Sequence, residues 1–132
     1  MILLLILVTT GACARIKTFN ALNDFEKSSK RYNQMLRWHE LNMAGSTFAD
    51  DSVKEEYTDR ARAAKGVTIT DYRVLSQECS PEKKTARAVV EIDYYIPPSV
   101  TLKTVEDVQK WEYVDINEKK FWRLKTLLPE FK

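Results

Sequence analysis

At 132 residues, 44% apolar and 30% charged, the chain has the composition of an ordinary globular protein and the length for one core, not two. Its 21 Lys and Arg and 19 Asp and Glu are interspersed, and the net charge of +2 comes with no polybasic block and no acidic tail. That balance excludes electrostatic capture of nucleic acid, and neither repeats nor low-complexity tracts are present.

Met1-Ile2-Leu3-Leu4-Leu5-Ile6-Leu7-Val8 is an unbroken apolar run, followed by the small residues Thr9-Thr10-Gly11-Ala12 and then Cys13-Ala14. As a helix the run spans roughly 12 Å, well short of a ~30 Å hydrocarbon core, so it suits a signal-peptide h-region and not a membrane span. The small residues suit a peptidase cleft. Thr10-Gly11-Ala12-Cys13 resembles the lipobox of bacterial lipoproteins, in which the cysteine is diacylated, becomes the new N-terminus and is acylated again. The resemblance implies a signal peptide over 1–12, a lipidated N-terminus and tether over 13–23, and a lipid on Cys13. Several acyl chains would hold such a protein firmly. Ala14, where Asp would mark inner-membrane retention, implies the outer membrane facing the periplasm. The segment departs from the pattern at Thr10, where Leu is commonest, and in having no Lys or Arg before the apolar run. The second departure implies a start upstream of Met1, or the amino group of Met1 as the only positive charge. Two other readings remain open: Ala12-Cys13-Ala14 fits ordinary signal cleavage, releasing a soluble periplasmic protein from Arg15, or the segment is a buried N-terminal strand or helix.

Arg15 to about Asp24 reads as a short tether. From Phe25 the period becomes helical, with Phe25, Tyr32, Met35, Leu36, Trp38, His39, Leu41, Asn42 and Met43 on a broad face, and Gly45-Ser46 as its end. Asn23 or Asp24 is placed to cap it. A second helix is predicted from about Asp50, with Glu55 and Glu56 in its first turns and Arg60, Arg62 and Lys65 in its last. Gly66 is its expected C′ residue. Phe48, Val53, Tyr57, Ala61 and Ala64 form its inner face.

The remainder reads as strands. Val67 to Glu78 is rich in β-formers, and Ser80-Pro81-Glu82-Lys83 is a turn. Thr85 to Ile96 alternates, placing Ala86, Ala88, Val90, Ile92, Tyr94 and Ile96 on one face and Arg87, Val89, Glu91 and Asp93 on the other. Pro97-Pro98 breaks the ladder. Val100 to Ile116 is long enough to predict a bulge around Thr104 to Asp107. A turn at Asp115 to Lys119 leads to a last strand over Phe121 to Leu128, stopped by Pro129.

Helices followed by about four antiparallel strands is an α+β order, with the N-terminal helices packed on the concave face of a curved sheet. The stretches Tyr32-Asn33-Gln34-Met35-Leu36-Arg37-Trp38, Ile92-Asp93-Tyr94-Tyr95, Gln109-Lys110-Trp111-Glu112-Tyr113, Phe121-Trp122-Arg123-Leu124 and Leu128-Pro129-Glu130-Phe131 are similar to small proteobacterial lipoproteins of the nuclear transport factor 2-like (cystatin-like) type. The resemblance spans the domain assigned to 24–132. It implies a half-open cone and, often in such domains, a homodimer through the open sheet. Enzymes of this type that resemble ketosteroid isomerase place a carboxylate and acidic hydrogen-bond donors deep in the cone.

Chemistry-bearing residues are few. Glu91 and Asp93 fall opposite the apolar face of their strand and are expected at solvent, and cross-strand pairing accounts for Asp71 and Arg73. His39 stands alone, without a second His or a Cys at ligand spacing, so no metal site is expected. No G-x-S-x-G, P-loop or glycine-rich cradle occurs, and no cofactor is expected. Lipidation of Cys13 would leave Cys79 unpaired; it reads as a small half-buried residue, with a mixed disulfide or a Cys13–Cys79 bridge as the alternatives. Tyr32, Trp38, His39, Tyr94, Trp111 and Trp122 are the candidates for lining a pocket for a small apolar ligand, weighed against their filling a core. Trp111 and Tyr113, two apart, share a face and could make an exposed sheet surface. The expected role is an envelope lipoprotein with a non-enzymatic binding or scaffold domain for a partner protein or small apolar ligand; the alternative is an isomerase- or dehydratase-like enzyme with an acid–base site in the cone.

Overall fold

The structure, a computed structural model, describes residues 11–132, with side chains described from residue 20 onward. The export segment over Met1–Thr10 and the side chain of Cys13 therefore lie outside the described residues. Three helices, α1 (Gly11–Arg37), α2 (Leu41–Phe48) and α3 (Lys54–Ala63), precede four strands, β1 (Thr68–Ser80), β2 (Thr85–Tyr95), β3 (Lys103–Ile116) and β4 (Lys119–Leu124). The strands form one open antiparallel sheet in the order β1-β2-β3-β4. The fold is α+β, as its element order predicts.

The alternation of β2 decides which face is buried. Ala86, Ala88, Val90, Ile92 and Tyr94 are all buried under the helices. On the opposite face Arg73 of β1 grips Glu91 at 3.0 Å and Asp93 at 2.7 Å. Arg73 pairs across the sheet as expected, whereas Asp71 makes no ion pair among the described residues and Glu91 and Asp93, expected at solvent, are only partly exposed. Val89 is the one buried apolar residue of β2 on that face.

α1 crosses the sheet from one edge to the other. Ala21 meets β4, where its carbonyl accepts from Trp122 Nε1 at 2.9 Å. Asn33 meets β3 through Gln109, and Arg37 Nη1 donates to the Ile69 carbonyl of β1 at 3.1 Å. Ala21, Phe25, Ser29, Tyr32 and Leu36 make the buried seam, at three- and four-residue spacing. Since Ala21 is packed into the core, the folded domain begins before Asp24, and the helix runs through the stretch read as tether.

The helices divide differently from the periodicity. α1 ends at Arg37: His39 N–H bonds to the Leu36 carbonyl and Glu40 N–H to the Met35 carbonyl, with His39 at φ 63°. This is a Schellman end with His at the left-handed position usually held by glycine. Trp38, His39 and Met43 consequently leave the apolar face and are exposed. Gly45 does not stop a helix; it sits inside α2, where a Cβ would lie 2.6 Å from Tyr57 Cδ1. Gly66 does not have positive φ, and a Cβ there would meet open space. The bulge expected on β3 is absent from its continuous pairing with β2; the register shifts lie on β1, at Ile69/Asp71 and Val74/Ser76. β4 ends at Leu124 instead of Leu128, although Leu128 stays buried.

Candidate functional site

The chemically distinctive place in the domain is the seam between α1 and β3. Residues 105, 107, 109, 111 and 113 of β3 share the face turned to the helices, because side chains alternate along a strand. Two of them are polar. Asp107 and Gln109 are buried, as are Ser29 and Asn33 above them on α1. Gln109 Nε2 donates to Asn33 Oδ1 at 2.8 Å and to Asp107 Oδ2 at 2.9 Å. Asn33 Nδ2 donates in turn to the Ser29 carbonyl at 2.9 Å. The amides thus form a chain from the helix backbone to the carboxyl group.

A second pair stands beside this chain. The hydroxyls of Tyr32 on α1 and Tyr57 on α3 lie 2.8 Å apart. The Tyr57 ring packs close against Gly45, where any side chain would collide with it. Burial pushes the acidity of both hydroxyls away from neutrality, and the negative charge of Asp107 pushes the same way, so both stay protonated. Asp107 is itself raised from 3.8 to about 6 because burial penalises its charge, against a smaller opposing effect of the Gln109 hydrogen bond. A carboxyl titrating near neutrality beside two hydroxyls is the kind of group that can move a proton.

Access decides what the group can do. Phe25, Tyr32, Trp111 and Trp122 are all buried in the space between α1 and the sheet. Their rings pack against one another, Tyr32 and Trp111 edge to face with centroids 5.5 Å apart and Phe25 and Trp122 tilted with centroids 5.2 Å apart. A groove of about 310 Å3 runs along the α1–β1 seam and reaches Ser29 and Asn33, with Glu26, Lys30, Tyr72, Val74 and Gln77 on its walls. Asp107, Tyr32 and Tyr57 do not line it.

The six pocket candidates therefore do not line one pocket. Tyr32, Tyr94, Trp111 and Trp122 belong to the core. Tyr94 bonds through its hydroxyl to the Lys132 carbonyl at 3.0 Å and packs edge to face on Phe131. Trp38 is 70% exposed, with the Arg37 guanidinium 5.0 Å over its ring. His39 is exposed on a separate groove between α2 and α3, its Nε2 3.0 Å from the Lys65 carbonyl. Trp111 and Tyr113 do not form an exposed sheet surface: Trp111 is in the core and Tyr113 stacks on Trp122 at 4.9 Å. Cys79 is half-buried, and burial pushes its thiol up, away from reactivity. Among the described residues no cluster of His, Cys, Asp and Glu could hold a metal ion. No helix among them is long and apolar enough to cross a membrane.

Sequence reasoning missed Asp107, Gln109 and Asn33. The parity of β3 carried the signal, since Asp107 and Gln109 stand four and two residues before Trp111. No protein-family model matches the chain, and no curated protein matches it.

Proposed function

We propose that this chain is a lipid-anchored protein of the cell envelope, held at the outer membrane through Cys13, whose domain is a non-enzymatic binding or scaffold module of the nuclear transport factor 2-like type. Three helices on one face of a four-stranded antiparallel sheet support that fold type. The tether rests on the apolar run and Thr10-Gly11-Ala12-Cys13. The observation that carries the non-enzymatic role is the interior. Where an enzyme of this type would hold substrate, Phe25, Tyr32, Trp111 and Trp122 occupy the space. A protein partner on the outside fits this better than a small apolar ligand within.

The tether is tested by Cys13→Ser. Loss of lipid labelling and movement to the soluble periplasmic fraction are expected; unchanged mass and fractionation would refute it. The interior is tested with an apolar fluorescent dye. No saturable binding is expected. One saturable site per chain, lost on Asp107→Asn, would favour the isomerase- or dehydratase-like alternative, for which the raised pKa of the buried Asp107 near Tyr32 is the supporting observation.

A further inference from the structure

We propose that the end of the domain formed by the C-terminus of α1 and the β2–β3 loop docks on an anionic lipid surface. Three observations meet there. Pro97-Pro98-Ser99-Val100-Thr101-Leu102 is an uncharged, exposed connection, with Val100 86% and Leu102 61% exposed. Trp38 is exposed at the same end, which the hydrogen bond from Arg37 to Ile69 fixes, since Ile69 pairs with Tyr94 and Tyr94 with Lys103. Among the described residues, Arg37 and Lys65 of this end make no ion pair, and Lys103 pairs with no acidic side chain, its Nζ donating to the Lys132 carbonyl at 2.7 Å.

The acids nearby leave these cations uncompensated. Asp93 is held by Arg73 and Thr104, and Glu130 by Arg60 and Lys132. Asp71 pairs in register with Asp93, on the face of the sheet turned away from the helices. Glu40 remains, exposed, on the helical side. An exposed tryptophan, two aliphatic side chains on an uncharged loop and a fringe of cations without carboxylate side-chain partners are the groups that partition into a headgroup layer. A stable protein interface needs roughly 800 Å2 from each partner, more than three separated side chains supply. A bilayer accepts them one at a time. The inference is independent of Cys13, since α1 places this end roughly 36 Å along the helix from that residue.

Trp38 reports on the contact directly, because Trp111 and Trp122 are in the core. The full chain is mixed with vesicles of phosphatidylglycerol or of phosphatidylcholine, each with and without brominated acyl chains. Tryptophan emission should shift to the blue and be quenched by the brominated chains in phosphatidylglycerol only, and Trp38→Phe should abolish both effects. Lys65→Glu and Lys103→Glu should each weaken vesicle binding about fivefold, and Val100→Asp with Leu102→Asp should remove the quenching. An unquenched Trp38, or quenching unchanged in the charge and loop variants, would overturn the proposal. A blue shift that grows with protein concentration in the absence of vesicles would assign this end to a second copy of the chain and overturn it as well.

Discussion

Replacing Asp107 with Asn isolates the cost of a buried carboxylate. Asn keeps the shape and the acceptor that Gln109 Nε2 meets at 2.9 Å, and removes only the charge. In the folded protein the carboxyl titrates at about 6 against an ordinary 3.8. At about 1.4 kcal/mol per unit, ionised Asp107 costs the folded state ~3 kcal/mol. The folded value is raised, so the favourable contribution of the neutral acid is fully present below the unfolded value and is lost as pH climbs through about 6. Asp50 and Asp93 act in the opposite sense. Hydrogen bonds, from Ser52 to Asp50 and from Arg73 to Asp93, hold both carboxyls down at about 2. Their contributions appear as pH rises from about 2 to 4 and are complete before Asp107 ionises. The two windows barely overlap, so the wild type should be most stable near pH 4 to 5. Urea unfolding followed by the fluorescence of the buried tryptophans measures this. Asp107→Asn should match the wild type near pH 4 and exceed it by up to ~3 kcal/mol above pH 7, with the same denaturant slope. A difference independent of pH, or a variant less stable than wild type at pH 8, would refute the assignment of an unpaired buried charge.

Gly45→Ala should destabilise by about 1–2 kcal/mol, the overpacking against Tyr57 exceeding the gain in helix propensity, whereas Gly66→Ala, opening onto free space, should not. Thermal melts of both variants, and of Gly45→Ala in a Tyr57→Leu background where the penalty should vanish, check the contact. Trp122→Phe should cost about 1 kcal/mol more than Trp111→Phe, because Trp122 Nε1 donates to Ala21 while Trp111 Nε1 is buried without a partner among the described residues. Equal losses in urea titration would remove that hydrogen bond from the account. Glu118→Gly should stabilise by about 1 kcal/mol, since Asn117 and Glu118 form a two-residue turn with both φ values positive, at 54° and 67°. An unchanged melting temperature would show the turn to be unstrained.

The legible parts of this fold are those in which polarity reports burial. β2 is the clearest case, with every second residue from Ala86 to Tyr94 under the helices and Glu91 and Asp93 on the other side, paired to Arg73. The two-helix reading failed at two residues whose roles depend on a neighbour's position and not on their own polarity. His39 takes the left-handed conformation that closes α1, a step that Gly usually advertises. Gly45, which resembles a stop, is instead the contact that admits the Tyr57 ring. The exposure of Trp38 follows from the first of these, since the backbone turns before its side chain can reach the core.

The candidate site escaped for a related reason. Asp107 and Gln109 look like the solvent side of β3, yet they share the parity of Trp111 and Tyr113, which pack inward. Alternation alone placed them under α1, but a bulge expected around Thr104 to Asp107, absent from the continuous β2–β3 pairing, would have broken that parity. What makes burial tolerable is on another element: Asn33 is the partner that lets Gln109 bridge helix and carboxyl, and it lies 76 residues away in sequence. Such a network stabilises little by itself, because unpaired charge is costly in a low-dielectric interior. It does fix one register of α1 on β3, since a helix shifted by one residue would leave both amides and the carboxyl unsatisfied. The polar seam thus serves specificity where the surrounding aromatic rings serve stability. Asp107→Asn should separate the two, raising stability at neutral pH while preserving the Asn33–Gln109 contact.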